Sequence, residues 1–126
     1  MTPLAKWTIV SVCLTALAVL VPWATYGDND IELSRLPLWW TYAGAAAVMH
    51  ACARIAPPVA AVFVVVEVVA AVVVATGYDQ GSHVFDHVVP MVVPSPGAGV
   101  VFAVASAAAQ GAGLRARARA ARSVPA

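Results

Sequence analysis

From Pro58 to Gly77 the chain reads PVAAVFVVVEVVAAVVVATG, an apolar run whose one ionisable side chain, Glu67, stands near its middle. A helix of about 20 apolar residues matches the ~30 Å hydrocarbon core of a bilayer. The valine content alone would suit a buried strand, but strands rarely continue for this length without a turn signal. The run therefore predicts a membrane-spanning helix. A carboxyl group within it is costly in lipid, so Glu67 is expected to face protein or a water-filled cavity.

Composition extends the argument to the whole chain. Of 126 residues, 62% are hydrophobic and 10% charged, whereas an ordinary soluble domain has about 25% charged residues. There is too little polar surface to cover a globule of this size, and lipid has to cover the rest. Spans are predicted at about 4–26, 38–56, 58–77 and 88–114, with a basic tail at 115–126. The expected fold is all-α: a single four-transmembrane-helix bundle.

Prolines and aromatics punctuate these runs. The first ends at Pro22-Trp23, with Trp7 and Trp23 flanking it as interface anchors. A secretory leader is the competing reading, but Trp23 to Tyr26 supplies bulky residues where cleavage wants a small-x-small pattern. The second opens with Trp39, Trp40 and Tyr42, read with Trp23 and Tyr26 as one half of an aromatic belt. Within it Ala43, Ala47 and Ala51 recur every four residues beside Gly44, a face suited to close helix approach. Pro58 suits the first position of the third helix. Pro90, Pro94 and Pro96 cannot all sit inside one regular helix, so the fourth span is expected to be broken or kinked near Pro94/Pro96. Ser95-Pro96 then reads as N-cap and first residue of a helix to about Leu114. Along it Gly99, Ala103, Ala107 and Gly111 form a small-residue ladder expected to pack against another helix.

Charge orients the bundle. With four spans, Lys6, Arg54, Arg115, Arg117, Arg119 and Arg122 share one side, while Arg35 shares the other with Asp28, Asp30, Glu32, Asp79 and Asp86. The positive-inside rule places both termini in the cytoplasm of a multi-pass plasma-membrane protein. The arginine tail is then a juxtamembrane segment drawn to anionic headgroups, and nucleic-acid binding is not implied. The acidic loop after Tyr26 lacks EF-hand spacing and reads as solvated. Cys13 and Cys52 lie in separate spans and suggest neither a redox motif nor a disulfide framework.

Two groups of residues carry candidate chemistry. At about 1.5 Å per residue, Glu67 lies roughly 14 Å from the cytoplasmic end of its helix. The same depth in other spans reaches Thr15 and Ser106, with His50 about one turn nearer the cytoplasm. These four form a predicted intramembrane polar layer. Such a layer serves a proton- or cation-coupled site, or a neutral Glu67 that ties helices together through a hydrogen bond to Thr15, Ser106 or His50. On the external side His83, Asp86 and His87, with Asp79 as a further ligand, have the donor types for zinc or copper, against the simpler reading of a solvated loop. No Ser-His-Asp, Cys-His or phosphate-cradling glycine pattern is present, so neither an enzyme nor a cofactor is expected. The expected function is non-catalytic: an accessory or self-associating subunit of a membrane complex. The alternatives are a small transporter or channel using Glu67, and a membrane metal-binding protein using the external His/Asp group.

Overall fold

The computed structural model describes residues 2–26, 29–36, 38–77 and 95–125. Helix α1 spans Pro3–Leu20, α2 Trp39–Cys52, α3 Pro57–Gly77 and α4 Ala98–Ser123. Between α1 and α2 lie strands β1 (Ala24–Tyr26) and β2 (Asn29–Ile31) and a 3-10 turn, Leu33–Arg35; β3 (Ser95–Pro96) precedes α4. The protein is mostly helical. Two helical segments, Pro57–Thr76 and Ala98–Ser123, are long and apolar enough to cross a membrane, and Ala5–Leu20 is a shorter apolar helix.

Each helix boundary has a local cause. Thr2 Oγ1 accepts from the Ala5 N–H at 3.2 Å, and Pro3 follows at the first turn. Helix α1 ends at Leu20, short of the expected residue 26, because Pro22 has no N–H to offer the Ala18 carbonyl one turn back. The indole N–H of Trp23 donates to that carbonyl instead, at 2.6 Å. Helix α2 has 14 residues, about 21 Å at 1.5 Å per residue, and is shorter than the expected 38–56. It starts after Leu38, which holds a left-handed backbone at φ 60°. Helix α4 continues to Ser123, well past the expected end at Leu114, because alternating Ala and Arg are both strong helix formers. The basic tail is therefore largely the last turns of α4.

The expectation of an all-helical chain requires one correction. Strands β2, β1 and β3 form a small antiparallel sheet in that order, with Ala24 opposite both Ile31 and Pro96. Ser95 and Pro96 pair with β1 rather than opening a helix, and α4 begins at Ala98. Gly97 N–H donates to Trp23 O at 2.9 Å and Gly99 N–H to Pro22 O at 3.0 Å, tying the start of α4 to the end of α1. A side chain at Gly97 would meet the Pro22 carbonyl, so this approach of two backbones requires glycine.

Helix α4 packs on α1 and α3, and α3 packs on α2. Helices α1 and α4 run antiparallel: Trp7 lies against Gly113, Thr15 bonds Ser106, and Trp23 lies against Gly99. The apolar core is concentrated at the sheet end, where Trp23, Ile31, Leu33, Leu36, Tyr42 and Val74 are all buried. Trp23 and Tyr42 stack edge to face with ring centroids 5.3 Å apart. Both were expected at a membrane interface; both are fully buried, while Trp39 and Trp40 remain exposed.

Candidate functional site

The polar side chains of α1, α2 and α4 meet at mid-bundle. Thr15 Oγ1 lies 2.6 Å from Ser106 Oγ and 3.2 Å from His50 Nε2. It also lies 2.8 Å from the Ser11 carbonyl, one turn back in its own helix. Ser106 Oγ is 3.2 Å from the same carbonyl. Gln110 joins from the next turn of α4: its amide nitrogen donates to Ser106 Oγ at 3.2 Å and faces His50 Nε2 at 3.4 Å. Each hydroxyl has one proton to donate. With two protons between them, Thr15 and Ser106 cannot both donate to the Ser11 carbonyl and also bond each other, so the network supports more than one proton arrangement.

Glu67 does not belong to this network. It is wholly buried, and among the described residues neither carboxyl oxygen has a hydrogen-bond partner. The Gln110 side chain lies at the edge of hydrogen-bonding reach of this carboxyl and the Tyr42 hydroxyl within electrostatic reach, without a well-formed hydrogen bond to either. The Tyr42 hydroxyl and Gln110 Oε1 are themselves buried and unpartnered. Four oxygen atoms from three helices thus have no hydrogen-bond partner among the described residues: two from Glu67, one from Tyr42 and one from Gln110. Buried polar atoms left this way are uncommon in folded proteins and cost about 1–3 kcal/mol each.

These neighbours suit either state of the carboxyl. A neutral Glu67 can donate to Gln110 Oε1 or to the Tyr42 oxygen. An ionised Glu67 can accept from the tyrosine O–H and the amide N–H. The four oxygens are also the donor type that a hard monovalent cation prefers. Gln110 links the two polar sets, with its nitrogen on the Thr15–His50–Ser106 network and its oxygen unpaired.

Gln110 also reaches water-accessible space. A cavity of about 380 Å³ lies between α1, α2 and α4, lined in part by Thr8, Ser11, Gln110, Met49, Arg54 and Arg117. At its rim the Arg117 guanidinium donates to the carbonyls of Ala53 and Arg54, the latter at 2.8 Å. It thereby satisfies carbonyls at the end of α2.

Of the residues expected in the polar layer, Thr15, Ser106 and His50 are brought together, and Glu67 lies on a separate face with Tyr42. Ser11, Tyr42 and Gln110 were not anticipated. Gln110 was visible as the one amide within the apolar part of α4. Tyr42 was masked by its place in an aromatic cluster that reads as interfacial. Of the small-residue ladder, Gly99, Ala103 and Ala107 are buried. Gly111 is half-buried, and a Cβ there would meet nothing within 4 Å. It is not a close-approach position; Gly113, 3.1 Å from Trp7 Cβ by the same measure, is one. Asp79, His83, Asp86 and His87 lie outside the described residues. Among the described residues no group of three or more His, Cys, Asp or Glu could hold a metal ion.

No protein-family model, curated protein or solved structure matches the chain.

Proposed function

We propose that the chain is a small, non-catalytic, multi-pass protein of the plasma membrane, a four-span bundle with cytoplasmic termini, in which Glu67 binds and releases a proton or a small monovalent cation. The carrying observation is the buried Glu67 carboxyl which, like the nearby Tyr42 and Gln110 oxygens, has no hydrogen-bond partner among the described residues. A carboxyl kept only to tie helices together needs a partner. The groups best placed for that by depth, Thr15, Ser106 and His50, bond to one another instead. An ionisable side chain inside a membrane segment is by default a candidate functional site. Membrane placement draws support from the apolar lengths of α3 and α4 and from the exposed valines of α3, among them Val62, Val65, Val69 and Val72. The six basic residues on one side of a four-span chain support the orientation.

The test is Glu67→Gln in sealed proteoliposomes, with imposed proton, sodium and potassium gradients read by fluorescent indicators. The substitution keeps shape and polarity, so folding and assembly are expected to survive while a gradient-driven flux shown by the parent protein is lost. Absence of flux from the parent, or equal flux from the variant, removes this reading.

A second reading, an accessory or self-associating subunit, is favoured by one observation. Helix α2 buries Tyr42, Ala45, Ala46 and Met49 but leaves Gly44, Ala47 and Ala51 exposed. Small residues on an outward face allow close approach of another helix. Mild-detergent purification with mass determination tests this: a monomer without partners argues against it.

A further inference from the structure

The cavity between α1, α2 and α4 has a chemistry that Glu67 does not use. Its rim carries two guanidinium groups, Arg54 and Arg117, and its depth carries the Gln110 amide and the Ser11 hydroxyl. Among the described residues no acidic side chain lines it. The acids elsewhere in the described chain are Glu67, turned into the bundle, and Asp30 and Glu32 near the sheet. The positive charge of this cavity is therefore not compensated from within. Arg117 places two N–H groups on the carbonyls of Ala53 and Arg54 and still has others to offer, since a guanidinium carries five. Arg54 is exposed. Two arginines lining one cavity offer planar forks of donors that match the oxygens of a phosphate group.

The remaining wall is mostly apolar, with Trp7, Met49 and Leu114 as its large members and Thr2 and Thr8 as its polar ones. Trp7 is 38% exposed, and a tryptophan at this level is the residue type that settles at the headgroup region of a bilayer. The volume of about 380 Å³ falls in the ~300–1,000 Å³ range of ligand pockets. Cationic rim, polar floor and apolar flank together favour an amphiphile over a free ion. Basic pockets between membrane helices on the cytoplasmic side bind acidic lipid headgroups.

We propose that this cavity binds the phosphate headgroup of an anionic phospholipid of the inner leaflet, held by Arg54 and Arg117 with its glycerol and upper acyl carbons along Trp7 and Leu114. The proposal rests on the bilayer placement above but not on a role for Glu67.

Native mass spectrometry of the full chain, released from neutral detergent with equal phosphatidylglycerol and phosphatidylcholine, reads the retained lipid. Preferential retention of phosphatidylglycerol is expected. Each guanidinium near the surface should contribute about fivefold, from ~1 kcal/mol per arginine. Arg54→Gln is the primary variant, because Arg117 also secures the end of α2; it should lower retention about fivefold. The double variant Arg119→Gln/Arg122→Gln, outside the cavity, should leave retention unchanged, as should Glu67→Gln. Equal retention of the two lipids overturns the proposal, as does an equal loss in the tail variant, which would mean diffuse attraction. Displacement of the lipid by millimolar glycerol phosphate also overturns it, assigning the cavity to a soluble phosphate instead. Cysteine labelling at Ser123 from outside intact cells would refute the bilayer placement separately, whatever the lipid result.

Discussion

Gly99→Ala and Gly111→Ala form a pair of single-methyl substitutions, on one helix and in one repeat, for which the structure expects opposite outcomes. At Gly99 the added Cβ would run into Trp23 Cδ1 and lie 2.7 Å from Trp23 Nε1 and 2.8 Å from the Val21 carbonyl. The indole cannot give way easily: Trp23 is fully buried, hydrogen-bonded to Ala18 O and stacked on Tyr42. The carbonyl belongs to the backbone that ends α1. Overpacking of this kind costs about 1–3 kcal/mol. At Gly111 the methyl meets nothing within 4 Å, so only the backbone effect remains, a gain of about 0.5–1 kcal/mol for alanine over glycine inside a helix. The backbone gain applies at both positions and cancels, so the two variants should differ by about 1–3 kcal/mol, Gly99→Ala being the less stable. Reversible unfolding in mixed micelles, titrated with a denaturing detergent, measures this directly. Equal destabilisation of both would mean that the period-four ladder packs along its whole length and that the described α1–α4 seam is wrong. Destabilisation at Gly111 alone would place a partner helix on the α3–α4 groove.

Trp23→Phe should cost about 1–3 kcal/mol beyond its loss of volume, because it leaves the Ala18 carbonyl, already denied an N–H by Pro22, without a donor. The same micelle titration checks it, and a change within 0.5 kcal/mol would exclude the capping role assigned to the indole. For topology, cysteines at Ser34 and Ser123 in a background lacking Cys13 and Cys52 should react from opposite sides of the membrane, Ser34 outside and Ser123 inside; labelling of both from one side contradicts the four-span arrangement.

Depth in the bundle was legible from the chain alone. Counting residues from the proposed membrane surfaces brings Thr15, Ser106 and His50 to neighbouring levels, and those three side chains are in contact. The same counting put Glu67 in that layer; its carboxyl lies by Gln110, which joins the network, but does not bond the three. Rise along a helix fixes level, but azimuth decides which neighbours a side chain meets, and azimuth depends on how each helix is rotated against the others. The ladder from Gly99 to Gly111 shows the size of the effect. Four residues advance about 40° beyond a full turn, so three such steps carry the stripe about 120° around the helix. It starts against Trp23 and ends beside α3, in a groove lined by Pro58 and Ala61. The positions that follow the α1 seam, Gly99, Ala103, Ser106, Gln110 and Gly113, are spaced by alternating steps of three and four, and include the two polar residues that make the site.

Sequence by itself determined the apolar helices and the expense of a carboxyl at mid-helix, because these follow from hydropathy and solvation of single residues. Tertiary structure alone decided that Trp23 and Tyr42 turn inward, that three short strands close the end of the bundle, and that Glu67 faces Tyr42 and Gln110 rather than Thr15. Strands of two or three residues are too short to show alternation. An aromatic ring satisfies an interface and a core equally well in composition. Only the packing of α1 against α4 and of α2 against α3 selects between them, since burial is a property of what surrounds a residue and not of the residue.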